Sequence, residues 1–152
     1  MTTLHPRIEA ARAGTDPALI CKVPSGWVFL CGMQFLRGYC VLQADPVVES
    51  INALGECQRT QFLNDMLRVG DAILEVTGAY RVNYMIAGNS DPVLHVHIVP
   101  RYMSEPEDLR KGLPWSHPDA YAESTRIDYV RDAPLMADLR RAILKCSPPC
   151  KT

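Results

Sequence analysis

The chain has no apolar run near the ~20 residues that cross a bilayer, and its opening MTTLHPRIEAARAG is not a signal peptide. A cytoplasmic protein is the expectation. Neither sign of charge is in excess: the net charge is −1, which gives no reason to expect a nucleic-acid polymer or an anionic membrane as partner. No CxxC pair occurs among the six cysteines, Cys21, Cys31, Cys40, Cys57, Cys146 and Cys150. Their irregular spacing and apolar settings read as small buried hydrophobes, not as a disulfide framework or a zinc site. The only close pair is CSPPC at 146–150, in the tail. There is no internal repeat, no low-complexity tract and no linker before residue 103.

What is present is ordinary globular material: 152 residues, 47% apolar and 22% charged, long enough to bury a core as one domain over 1–152. HPRIEAARAG suggests a short N-terminal helix. ALICKVPSG and GWVFLCGMQ read as two strands hinged at Pro24-Ser25-Gly26, and GYCVLQA as a third. From about Gly55 to Thr77 the apolar residues Phe62, Met66, Leu67, Val69, Ala72, Ile73 and Val76 recur at helical spacing, and Gly78 ends the helix. YRVNYMIAG (80–88) gives a fourth strand and, after the turn GNSDP, VLHVHIVPRY a fifth. Residues 103–125, rich in Glu, Pro and Ser, read as an irregular arm. A closing helix is expected over about 134–146, its proline in the first turn. The fold class is therefore α+β: about five antiparallel strands, one long crossover helix, and short helices at each end.

The chain has four histidines, and two of them, His95 and His97, stand two apart in the fifth strand. Residues two apart share a face, so Val93, His95 and His97 point one way while Leu94, Val96 and Ile98 point into a core. On this spacing alone the pair is either an exposed polar face, a metal pair short of a third ligand, or a reactive site.

The run GNSDPVLHVHIVPR resembles the signature of the histidine-triad (HIT) family of nucleotide hydrolases and transferases. That signature is His-φ-His-φ-His-φ-φ, followed by Pro-Arg and preceded by a Gly-Gln or Gly-Asn turn. The second and third histidines fall on His95 and His97, and the first on Val93, giving a Val-Leu-His-Val-His variant. The order of elements over about 18–102 follows the family, and FLRGYCVL resembles its Gly-His strand with Tyr39 in place of histidine.

The resemblance implies a mechanism. A neutral imidazole is a competent nucleophile toward phosphorus. His95 would attack the α-phosphate and form a nucleotidyl-histidine that water cleaves, while His97 donates to phosphate oxygens. Gly88, Asn89 and Ser90 of the turn would grip phosphate or leaving group, although Asn and Ser also favour turns on their own account. No cofactor and no metal are implied. Where the family has an Asp or Asn for the ribose, about eight residues before the Gly-His histidine, this chain has Cys31. Gln34 and Asn83 are the substitutes to expect. Since the Val93 side chain cannot orient His95, either a backbone carbonyl or another side chain does so, or catalysis is weak.

Trp115 would cover the nucleotide, dock on a second subunit, or pack on its own sheet. His117 reads as a loop residue. The family further implies a two-fold homodimer built on residues around 55–86. Three activities stay open: hydrolysis of a nucleoside phosphoramidate or dinucleoside polyphosphate, nucleotidyl transfer to phosphate or a sugar phosphate, and nucleotide binding without turnover.

Overall fold

The computed structural model describes residues 5–145; the CSPPC stretch, including the last residue expected in the closing helix, lies outside them. Leu19–Val23 (β1) and Gly26–Leu30 (β2) form a hairpin. Cys40–Ala44 (β3), Arg81–Met85 (β4) and His95–Arg101 (β5) complete a five-stranded antiparallel sheet in the order β1-β2-β3-β5-β4. The chain leaves β3, crosses to the far edge as β4, and returns as β5 between the two. The histidine strand is thus paired on both sides, which fixes its side chains more firmly than an edge strand would.

The crossover is the expected helix, Glu56–Thr77 (α2). Its apolar stripe of Phe62, Val69, Ala72 and Ile73 is buried against the sheet. It stops at Gly78, whose φ of 70° closes the last turn with an N–H donated to the Leu74 carbonyl. Buried Asp65 accepts from the Ser25 N–H at 2.9 Å and from Gln61 Nε2 at 3.0 Å, tying the helix to the β1–β2 turn. The short helices fall at Pro6–Ala13 (α1), Glu107–Lys111 (α3) and Ala133–Ile143 (α4). No helix among the described residues is long and apolar enough to cross a membrane.

One face of the sheet carries Val28, Leu30, Cys40, Leu42, Val96 and Ile98, packed with α2 and with Leu135, Leu139 and Ile143 of α4. Burying such a side chain contributes roughly 1.5–3 kcal/mol. A one-residue slip of β5 would exchange Val96 and Ile98 for the histidines. The core therefore sets the direction in which His95 and His97 point.

The arm after β5 is more regular than its composition suggests. It contains α3 and two 3-10 turns, Pro114–Ser116 and Glu123–Thr125. The organiser is Arg101, a buried cation. It donates to Glu105 and Asn83 Oδ1, and to the carbonyls of Leu109 at 2.6 Å and Gly112 at 2.8 Å. A guanidinium with five N–H donors gathers a polar segment that has little apolar surface to bury.

Candidate active site

The face opposite the core holds the histidines. Along β5 they stand beside Gln43 and Val41 of β3, and Met85 of β4 is paired with His97. The rings of His95 and His97 lie 4.9 Å apart, edge to face, and both are half-buried. His95 Nδ1 is 2.8 Å from the carbonyl oxygen of Val93. An oxygen without a proton can only accept, so Nδ1 carries the ring hydrogen and neutral His95 keeps its lone pair on Nε2. Val93 does its orienting with the main chain, where its side chain does not matter.

His97 is held differently. Its Nδ1 lies 2.5 Å from the hydroxyl of Tyr39, which is buried. Burial, and then the neighbouring His95, hold the His97 pKa down at about 4. Burial, with Cys31 nearby, raises the Tyr39 hydroxyl above the usual phenol range. Near neutrality both groups are uncharged. With the phenol proton donated to Nδ1, the His97 ring hydrogen sits on Nε2, as a donor requires. Tyr39 also packs with Leu36, Val41 and Val99 in a small cluster on this face.

The arm lays Trp115 over this cluster, its ring centroid 5.4 Å from that of His97 and 6.3 Å from that of Tyr39. Trp115 thus packs on its own sheet. His117 sits beyond it, 6.0 Å from the Phe35 ring. Helix α1 closes the opposite side: Arg12 pairs with Asp45, which accepts from Trp27 Nε1 at 2.8 Å, and His5 Nε2 lies 3.3 Å from Asp91.

The expected substrate-binding residues separate into two groups. Gly88 turns the chain with φ 70°, and Asn89 and Ser90 stand exposed before β5 with no side-chain hydrogen bond to any described residue. Gln34 is occupied through both ends of its amide, and Asn83 through its oxygen alone, with Asn83 also lining the groove along β4. Gln34 Nε2 donates to the carbonyls of Cys31 and Tyr39, and its Oε1 accepts from the Gly38 N–H. That uses both amide hydrogens to hold the loop before β3. Asn83 Oδ1 accepts from Arg101 at 2.9 Å and belongs to the anchor of the arm. Cys31 is a half-buried thiol with its pKa raised by burial. Gln43 carries no motif signal in the sequence, yet its buried amide nitrogen has no hydrogen-bond partner among the described residues. Only its place opposite His95 in the β3–β5 register sets it apart.

A groove of about 740 Å³ runs along β4 and the arm beside the histidines. Neither histidine lines it; Met85 and Trp115 form its boundary on their side. Arg81, Arg110 and Lys111 line it, and no carboxylate does. Among the described residues no three His, Cys, Asp or Glu side chains form a group able to hold a metal ion.

No family model and no curated protein matches the chain; solved structures do. A histidine triad protein from Bradyrhizobium japonicum superimposes with a TM-score of 0.66 at 23% identity, over 93% of this chain and 97% of that one. A histidine triad protein from Sinorhizobium meliloti gives a TM-score of 0.69 at 17% identity, over 93% and 97%. A hypothetical histidine triad nucleotide-binding protein from Sulfolobus tokodaii gives 0.68 at 15% identity, over 90% and 89%. Identities this low speak for architecture, and the architecture agrees over 90–93% of the chain. The chain has the histidine triad fold.

Proposed function

We propose that this protein is a nucleotide hydrolase that cleaves at the α-phosphate through a nucleotidyl intermediate on His95. The observation that carries the reading is the contact between His95 Nδ1 and the Val93 carbonyl. It leaves the Nε2 lone pair free on a face that the core holds open. Attack forms an Nε2–P bond as the bond from phosphorus to the leaving oxygen or nitrogen breaks, and the leaving atom takes a proton from solvent. The positive charge that appears on the ring is stabilised by the same Val93 oxygen. His97 Nε2–H donates to a non-bridging oxygen. Water then forms a P–O bond, the N–P electrons return to Nε2, and a proton leaves to solvent.

The substrate class is a nucleoside phosphoramidate or a dinucleoside polyphosphate. The acid-free groove with Arg81, Arg110 and Lys111 suits a leaving group that is itself anionic, which favours the polyphosphate. Asn89 and Ser90, exposed and unbonded, are the groups available to hold phosphate oxygens from the turn. A second copy of the chain is the proposed partner, on the surface of α2 and β4. The experiment is rapid quench with labelled substrate. An acid-labile, base-stable adduct is expected in the wild type and not in His95→Ala. An adduct that persists in that variant, or full turnover by it, removes His95 from its role.

A further inference from the structure

We propose that Gln43 is a substrate-contacting residue, its side-chain amide donating to an oxygen of the nucleotide phosphate held at His95. This rests on the function proposed above, because it takes the phosphate to lie against His95.

Three observations point to it. Gln43 is only 4% exposed, and its Nε2 has no hydrogen-bond partner among the described residues. Polar groups at that depth are almost always paired, because an unpaired one loses its hydration and gains nothing. The amide is also in the right place. Gln43 is directly opposite His95 in the β3–β5 register and opposite Trp27 in the β2–β3 register. Residues paired in this way have Cβ atoms ~5 Å apart on one face. Finally, the neighbouring polar groups are taken: Trp27 donates to Asp45, Asp45 is paired with Arg12, and His95 Nδ1 is on Val93. The amide is thus left without a protein acceptor beside the one ring nitrogen that the mechanism needs free. With nothing to fix it, the amide turns about its last torsion and can present N–H₂ to the face.

A packing role makes the opposite forecast for stability, so the two are separable. A glutamine kept for structure is one whose replacement weakens the fold. One kept for a ligand is a local liability that an apolar residue relieves. The measurements are the thermal midpoint of the unliganded protein and the dissociation constant for AMP, on wild type, Gln43→Leu and Gln43→Glu. Gln43→Leu is expected to melt no lower than wild type and to bind AMP roughly ten- to a hundred-fold more weakly, the usual loss for one hydrogen bond to a charged group. Gln43→Glu, the same shape with a carboxylate facing the phosphate, is expected to bind more weakly still. Unchanged AMP affinity in Gln43→Leu overturns the proposal, and so does wild-type affinity in Gln43→Glu. If Gln43→Leu loses stability as well as affinity, the isosteric Gln43→Glu decides between the outcomes. A wild type that binds no AMP also overturns it. Loss of the His95 adduct instead sinks the reading of function and leaves the AMP comparison standing.

Discussion

At the scale of single residues, the two histidines differ in what fixes them, and the difference is testable. His95→Ala removes an imidazole from an open face and leaves Val96 and Leu94 buried, so turnover should vanish with stability nearly intact. His97→Ala should cost about a hundredfold or more in kcat, as for one lost oxyanion donor. Tyr39→Phe should fall between wild type and His97→Ala, since it frees the His97 tautomer without removing the ring. Steady-state kinetics on the three variants gives the order. The low His97 pKa of about 4 has its own consequence. Between the unfolded pKa near 6.5 and about 4, the unfolded chain binds a proton that the native ring refuses. Stability present above pH 6.5 is therefore lost as pH falls through that window. Urea unfolding at pH 7 and pH 5 should show a drop in wild type and a smaller one in His97→Gln. Much of this was legible in the letters: an HxH at period two can only put both rings on one face. The Val93 carbonyl was not, since every residue carries one. Gln34 was a plausible substrate group until its amide proved to be spent on the loop of residues 31–39.

The arm makes the equivalent point for a structural element. Glu, Pro and Ser give it no periodicity and little apolar surface, so its sequence offered no reason to expect α3 or the turns. Its order comes from the buried Arg101–Glu105 pair at 2.9 Å, with Glu105 also accepting from the Tyr102 N–H at 2.7 Å. Glu105→Ala leaves the guanidinium buried and unpaired, a loss of about 3–5 kcal/mol for an ion pair broken from one side. The arm then releases Trp115 from His97. Chemical denaturation should give the first effect. Faster hydrogen exchange over residues 102–117, with a red-shifted tryptophan emission, should give the second. Helix α4 is anchored in the same way, by Asp132 at its start. That buried carboxylate accepts from Arg131 at 2.8 Å, from the Asp128 N–H at 2.9 Å and from Arg37 at 2.7 Å, and these, Arg131 foremost, hold its pKa well below the carboxylate range. By contrast α2 was legible because its apolar residues recur at helical spacing, and β5 because His95 and His97 alternate with the buried Val96 and Ile98.

Across the whole molecule, the surface that asks for an explanation is the outer side of α2 and β4. Leu63, Leu67 and Leu74 are exposed along one side of the helix, with Leu67 as much as 49% accessible. Tyr84 on β4, with Tyr80 and Ile86 just before and after the strand, continues the apolar surface along an edge strand whose outer backbone groups have no partner among the described residues. The two elements are locked together there: Tyr84 lies so close over Gly70 that a Cβ at that glycine would sit 1.9 Å from the tyrosine oxygen. Long apolar side chains beside an open edge are an association hazard unless something covers them. A second copy related by a two-fold axis covers both at once, because the same patch then meets itself. Such a dimer would also wall the open side of the groove that runs from β4 to Trp115. Light scattering at micromolar concentration should therefore give twice the chain mass. Leu67→Lys sets two like charges against each other near the axis and should yield monomer with unchanged far-ultraviolet dichroism. If Leu67→Lys stays dimeric while a charge at Tyr80 or Ile86 dissociates it, the axis lies on the strand and not on the helix. A monomeric wild type would leave the exposed leucines for a different partner and remove the dimer altogether.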